Sequence, residues 1–529
     1  MTEEPIDRLF AAHPTRRSVL AAGLAGLAAT AFGGAPVGSR RRLPRPAGGV
    51  TLPGPAFTLG VASGDPRPDS VILWTRLAPL PLEGGGMPDQ AVEVRWDVAG
   101  DEGFKKVVRK GTATAKPGLA HSLHVDVEGL EPAADYFYRF RLGDDISPVG
   151  RTRTLPEPDA SPRQLRLALA TCQDYGTGYY TAYRDLVAQE PALVLFLGDY
   201  IYEHPIFGFA DRANPPIEAV TLDDYRARYA LYKTDPDLQA AHLTAPWVTT
   251  WDDHEVDNNY AGDVSQGGEP PEQFHERRVA GYRAWYEHMP VRIKPPRSAD
   301  VRVYQDFAFG DLARFFVLDT RQYADVPPCR ETSAPLADAG PTCPERERPD
   351  RTILGEEQER WLVDGLDGAD GRWSVLAQGV QMAGLDIDLV GGPAQYYLDS
   401  WDGYPAARTR LLDALAGSGA KSPIVLTGDY HASFVSDLRP DPFDTSTPVV
   451  GTEFVGPAIS SSPFSTDFTA ANPHVRYFDP ERGYVMCTVE RDTWTAEFRQ
   501  IFDVQDPQGV VEAGATFVVE RGTPEAQPA

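Results

Sequence analysis

Four short stretches of this 529-residue chain carry carboxylates, imidazoles, a thiol and a phenol directly after apolar runs. Leu193-Val194-Leu195-Phe196-Leu197 runs into Gly198-Asp199-Tyr200-Ile201-Tyr202-Glu203. Leu169-Ala170-Thr171 runs into Cys172-Gln173-Asp174, and Val425-Leu426-Thr427 into Gly428-Asp429-Tyr430-His431. Val248-Thr249-Thr250-Trp251 is followed by Asp252-Asp253-His254-Glu255-Val256-Asp257-Asn258-Asn259. Five large hydrophobic residues in a row read as a strand buried on both faces. In open α/β sheets ligands collect at the carboxyl edge of such strands. Carboxylates gathered there without compensation cost several kcal/mol per buried ion, and cations remove that cost.

The donor types narrow the ion. Thiolate and phenolate beside Asp suit a highly charged ion such as Fe(III), while carboxylates and a carboxamide suit Ca, Mg or Mn, so a mixed site is expected. Asp199 and Tyr202, three residues apart, can present two oxygens to one point. Consecutive Asp252 and Asp253 point to different sides of an extended chain, one toward the metal and one in support of it. Other chemistries lack their residues. There is no Gly-x-Ser-x-Gly elbow and no glycine-rich lysine loop. His275-Glu276-Arg277-Arg278-Val279 lacks the second histidine of a zinc-protease helix, and 364–371 is spaced wrongly for an EF-hand and reads as a helix end and turn.

These residues need a layered frame. Strands are predicted at 165–170, 192–197, 247–251, 314–319, 373–378 and 424–427, alternating with helices at 181–190, 272–288, 355–366 and 405–415. Late strands at 452–455, 484–490 and 496–501 predict a second, more antiparallel sheet packed on the first. Residues 56–155 read as all-β, and Leu130-Glu131-Pro132-Ala133-Ala134-Asp135-Tyr136 resembles the tyrosine corner of fibronectin type III sandwiches. The expected domains are a lead-in over 1–48, a β-sandwich over 50–155 and a catalytic domain over 163–520.

With 76 acidic against 50 basic residues the net charge is −26, which excludes a nucleic-acid-binding surface and favours solubility. An anionic substrate must then be drawn in locally, by bound cations. Thr15-Arg16-Arg17-Ser18 precedes an alanine- and leucine-rich stretch too short for a membrane span. This predicts a Tat-type signal peptide, with the Tat machinery as partner and a secreted or periplasmic product. In that compartment Cys329 and Cys343 can close a disulfide, and Cys487 reads as a buried strand residue.

With Gly178-Tyr179-Tyr180-Thr181-Ala182-Tyr183-Arg184 and Trp401-Asp402-Gly403-Tyr404-Pro405, these stretches resemble the PhoD-like alkaline phosphatase/phosphodiesterase family, within the calcineurin-like metallophosphoesterases. The resemblance implies an α/β fold, a four-layer α/β/β/α sandwich preceded by the fibronectin III-like module, and a site holding Fe(III) with calcium. It implies Cys172, Asp199 and Tyr202 as iron ligands, with Asp199 bridging to calcium. Asp253, Asn259, Asp429 and His431 would complete the cluster in an open division, with His254 as proton donor. Asp252-Asp253-His254-Glu255 stands where the superfamily has Gly-Asn-His-Glu, and the superfamily's first Asp-x-His is absent, with Cys172 nearby; both depart from a two-zinc or two-manganese pattern. The implied reaction is hydrolysis of small phosphate mono- or diesters by a metal-activated hydroxide, without a phosphoenzyme. The alternatives are a phospholipase D-like hydrolase of lipid phosphodiesters and a non-catalytic exported binding protein. Trp401 and Tyr404 are candidates for either the substrate side or the core.

Overall fold

The computed structural model describes residues 51–204, 212, 215–329, 339–368, 371–389, 391–417 and 422–529. The predicted signal segment, 1–48, lies outside the described residues. The apolar run becomes the strand Leu193–Leu197, buried throughout. Leu193, Leu195 and Leu197 face one core with Phe315, Val375 and Leu426, while Val194 and Phe196 face another with Tyr183, Tyr229 and Trp247. Alternation across a pleat sends successive side chains to opposite cores, so a strand between two layers must be apolar at every position. Burying five such side chains contributes on the order of 10 kcal/mol before conformational entropy is counted.

Among the described residues two large sheets form, of ten and seven strands. In the first, Gln164–Ala170, Leu193–Leu197 and Trp247–Thr250 lie side by side and parallel. In the second, Ala313–Val317, Trp373–Gln378, Ile424–Thr427 and Gly451–Val455 do the same. The sheets share the core built by Leu167, Leu195, Phe315, Val375 and Leu426. The outer face of the first packs on Ala182–Ala188, Leu222–Tyr232, Pro236–Thr244 and Pro271–His288. The outer face of the second packs on Gly355–Asp367 and Pro405–Gly417. The fold is thus a mixed α/β fold.

The strand order corrects one expectation. The late antiparallel strands Arg482–Glu490 and Thr493–Ile501 do not found a second sheet; Arg482–Glu490 pairs with Gln164–Ala170 and extends the first. The second sheet does hold 452–455, as expected, but its partners there are 314–319, 373–378 and 424–427, which the apolar pattern groups with the first, because it reports burial and not the pairing partner. Two helices were also not predicted, Leu222–Tyr232 and Pro236–Thr244. Tyr225, Arg228, Tyr229, Ala230, Leu231 and Tyr232 are all buried, so polar and apolar types mix on the inner surface and leave no clean stripe. Their starts were legible: Thr221 and Asp224 form a reciprocal capping box, and Asp235 accepts from the N–H groups of Asp237 and Leu238.

In the amino-terminal part, Val92–Ala99, Val107–Ala115, Asp135–Leu142 and Gly150–Arg153 form a separate antiparallel sheet. Val61–Gly64, Ser70–Arg76 and Ser122–Glu128 instead continue the ten-stranded sheet beyond Trp247–Thr250. Val71, Leu73, Val94, Tyr138 and Phe140 fill the core between them. The Glu131 N–H donates to Tyr136 Oη at 2.9 Å, fixing the turn that the tyrosine-corner stretch predicts. Cys329 and Cys343 are disulfide-bonded, and Cys487 is a buried free thiol in Arg482–Glu490. Among the described residues no helix is long and apolar enough to cross a membrane.

Candidate metal and active site

Parallel register brings the chemistry to one place. Ala170 lies opposite Phe196, Leu197 opposite Thr250, and Thr427 opposite both Gln378 and Val455. Two residues past those strand ends stand Cys172, Asp199, Asp252 and Asp429. The two sheets close on each other there at Gly428, and adjacent strand ends of the first sheet close on each other at Gly198. A Cβ on Gly428 would lie 2.5 Å from Thr171 Oγ1 and 2.8 Å from the Leu197 carbonyl oxygen; one on Gly198 (φ +92°) would lie 2.3 Å from Asp252 Cβ. Gly198→Ala is therefore expected to destabilise the protein by about 2–4 kcal/mol, because the added methyl must displace Asp252 while the residue holds a left-handed backbone. Urea denaturation measures this; a loss below about 0.5 kcal/mol contradicts the close packing.

Five of the proposed ligand residues themselves have left-handed backbones: Cys172 (φ 57°), Asp199 (58°), Asn259 (49°), Asp429 (64°) and His431 (59°). Such backbones are uncommon outside glycine and cluster where geometry is held for function. The resulting turns put ligand atoms of Cys172, Asp199 and His431 within 4.8 Å of one another. Asp199, Asp253 and His254 meet the same limit, as do Asp252, Asp253 and Asp429. Tyr202 Oη donates to Asp199 Oδ2 at 3.0 Å and lies 2.8 Å from both His431 Nε2 and Ser461 Oγ. The Asn259 N–H donates to Asp253 Oδ2 at 2.7 Å. All eight residues proposed from sequence are thus gathered at one strand edge.

The donor set fits a cation. Asp199 Oδ1 is buried with no hydrogen-bond partner, a costly state for a carboxylate oxygen unless something else binds it. Burial, and then the charge of Asp199, pushes the Cys172 thiol and the Tyr202 phenol well above their ordinary pKa values. Burial, and then the Asp252 charge, pushes Asp429 up, while Arg321 opposes. Protein groups alone therefore leave an excess of crowded acids, and a bound ion would invert that balance.

Four supporting residues carried no role in the sequence reading. Glu255 accepts from the N–H groups of Tyr200 (2.6 Å), Asp199 (3.0 Å) and Asp252 (2.8 Å), tying two strand ends together. Ser461 Oγ lies 2.8 Å from both the Cys172 carbonyl oxygen and Tyr202 Oη, its one proton serving either acceptor. Arg321, fully buried, reaches Asp252 (Nε–Oδ1 2.5 Å), Asp253 (3.3 Å), Asp429 (3.2 Å) and Asp399 (3.5 Å). One guanidinium among four carboxylates orders them without neutralising them. Arg321 and Ser461 follow the apolar strands Ala313–Val317 and Gly451–Val455. The signal that finds the other clusters, polar residues just past a buried strand, also marks them. Glu203 is the fourth: its Oε2 holds His254 Nδ1 at 2.7 Å and its Oε1 accepts from the Asn258 N–H at 2.9 Å.

His254 packs its ring 4.1 Å from that of Tyr202, and its Nε2 lies 3.9 Å from Asp253 Oδ2. Burial opposes its charge, but Asp253, Glu203 and Asp199 outweigh burial and lift its pKa well above the usual histidine value. Trp401 and Tyr404 belong to the core: both are buried, Trp401 donates to Gln378 Oε1 at 2.7 Å, and Tyr404 Oη donates to the Asp325 carbonyl.

The parallel central strands of two mixed sheets thus converge at their carboxyl ends on acidic, thiol and imidazole donors, the types that bind a cation. Residues 167–498 match the family model for PhoD-like phosphatase, and residues 46–156 that for the PhoD-like phosphatase N-terminal domain. Alkaline phosphatase D of Bacillus subtilis (strain 168) is 47% identical over 478 residues, covering 88% of this chain and 81% of that protein. A solved structure of PhoD superposes with a TM-score of 0.87 at 45% identity, covering 91% of this chain and 93% of that one. The chain belongs to the PhoD-like phosphatase family, and it is a phosphoric ester hydrolase.

Proposed function

We propose that the protein is an exported, metal-dependent alkaline phosphatase/phosphodiesterase whose site takes Fe(III) together with calcium. The observation that carries this is the meeting of a thiol, a phenol and an imidazole around Asp199, whose Oδ1 has no protein partner. Cys172, Asp199 and Tyr202 would hold the ferric ion; Asp253, Asn259, Asp429 and His431 would complete the set, with Asp199 shared. Bound there, the cations would polarise the phosphoryl oxygens and supply a nucleophile at neutral to alkaline pH. His254, held at Nδ1 by Glu203, keeps Nε2 toward the carboxylate cluster and gives its proton to the departing alcohol oxygen. Arg321 keeps Asp252 engaged through both carboxylate oxygens, which favours Asp253 as the metal-facing member of the pair.

The same reading treats the layers as a four-layer α/β/β/α sandwich and the amino-terminal part as a fibronectin III-like module, with the division near 155–163. It assigns residues 1–48 to Tat export. Small phosphate mono- and diesters are the proposed substrates, with lipid phosphodiesters the second choice.

The test combines metal analysis, a visible spectrum and assays with p-nitrophenyl phosphate, bis-p-nitrophenyl phosphate and phosphatidylcholine. The expected result is iron and calcium bound to each chain, a charge-transfer band from a ferric ion on phenolate or thiolate, and turnover of the nitrophenyl esters. Full metal occupancy without turnover of any phosphoester defeats the enzymatic assignment. Activity with zinc or manganese and no visible band defeats the iron assignment alone.

A further inference from the structure

Three chain segments that each supply a residue to the site also carry an aromatic ring to one common patch. Tyr430 stands between Asp429 and His431. Tyr397 stands two residues before Asp399, which contacts Arg321 at 3.5 Å. Phe464 stands two residues after Ser462, whose carbonyl lies 2.9 Å from His431 Nδ1, and the Phe464 N–H donates to the His431 carbonyl at 3.2 Å. The three rings meet edge to face: Tyr430 and Phe464 centroids are 4.9 Å apart, Tyr397 and Tyr430 5.6 Å, and Tyr397 and Phe464 6.1 Å. Phe434 supports them from behind, its centroid 4.8 Å from Tyr430, and is itself buried.

Position decides what this wall is for. Cys172, Asp199, Asp252 and Asp253 are buried, whereas Asp429, His431, Asn258 and Asn259 are only half-buried, so the site opens on the Asp429–His431 side. Tyr397, Tyr430 and Phe464 are half-buried beside that opening. Among the described half-buried residues on that side, Asp429, His431, Asn258 and Asn259 are polar and these rings are apolar. A phosphoryl group held among Asp199, Asp253 and Asp429 would leave its ester substituent on the half-buried Asp429–His431 side, where Tyr430 is the intervening residue.

We infer that Tyr397, Tyr430 and Phe464 form a subsite for the organic group of the ester and favour a flat aromatic substituent, an aryl group or a base, over a small alkyl one. This rests on the proposed phosphoesterase function and adds the substrate class to it. Edge-to-face contacts add to area burial by an amount that corresponds to roughly three- to tenfold in binding.

The test compares kcat/KM for bis-p-nitrophenyl phosphate and methyl p-nitrophenyl phosphate in full-length wild-type enzyme, Phe464→Ala, Phe464→Leu and Tyr397→Leu. The two esters share a leaving group and differ in the retained one, and comparison between variants cancels their intrinsic reactivity. Phe464→Ala is expected to lower the ratio of the two kcat/KM values roughly three- to tenfold, mainly through KM, with the leucine variants changing it in the same direction. If Phe464→Ala does not fold, the leucine variants decide. A ratio unchanged in every folded variant overturns the subsite and leaves the phosphoesterase reading standing. Wild type that turns over neither diester overturns the subsite, and if p-nitrophenyl phosphate is also left intact the functional reading falls with it.

Discussion

Asp199→Asn is expected to lower phosphoester turnover by at least about a thousand-fold and, if the proposed ferric ion is bound, the iron content of the purified protein. The amide keeps the shape of the side chain, and Asn tolerates the left-handed backbone (φ 58°) that this position requires. One oxygen remains to accept the Tyr202 hydroxyl, now 3.0 Å from Oδ2. What disappears is the charge that would be shared between two unlike ions. Two stability measurements separate this role from a structural one. In metal-free protein the substitution removes a buried carboxylate whose Oδ1 has no partner but whose charge His254 and His431 favour, so the two effects oppose and the melting temperature changes little. In metal-loaded protein the melting temperature falls, since the ions no longer stabilise the folded state by binding it. A melting temperature that drops equally in both forms, with iron retained, would assign Asp199 to the scaffold.

The second large effect belongs to His254 and Glu203. His254→Asn should slow hydrolysis of an ester with a poor leaving group, such as phenyl phosphate, by roughly a hundred- to ten-thousand-fold. The loss on p-nitrophenyl phosphate should be much smaller, because p-nitrophenolate leaves without needing a proton. Glu203→Gln removes the carboxylate that holds Nδ1 at 2.7 Å and stabilises the protonated ring. It should reproduce the same leaving-group dependence at about a tenth to a hundredth of wild-type rate. Equal losses on both esters would mean that His254 orders the site and does not donate the proton. Unchanged rates in Glu203→Gln would mean that the Tyr202 ring, stacked 4.1 Å away, suffices to position the imidazole.

Much of the site was legible because it follows one rule repeated four times. A strand buried on both faces has no freedom to be polar, so Leu193–Leu197, Gln164–Ala170, Trp247–Thr250 and Ile424–Thr427 stand out, and whatever follows each lies at a layer edge. The same rule, pressed further, also marks Arg321 and Ser461, which went unassigned because a lone arginine or serine names no chemistry until its partners are known. The helix Leu222–Tyr232 escaped because burial on several sides erases the amphipathic stripe, and Pro236–Thr244 because its nine residues bury only Leu238, Ala241 and His242, too short a stripe to mark a period. Sheet membership was misread for the late strands because apolar alternation is satisfied by any neighbour of the right depth.

The residues alone determined which groups could do chemistry, that they sit at strand ends, and that so many acids in one place call for cations. They also marked Cys172 and Tyr202 as donors for a highly charged ion. Only the tertiary structure decided that two sheets, not one, bring those ends together, and that a glycine at 428 lets them approach. It alone showed that Glu203 holds His254 and that Arg321 spans four carboxylates. The reason is physical: burial is a property of each residue and leaves its mark on residue type. Partnership is a property of two distant positions, such as Arg321 and Asp252, and is fixed only when the layers pack.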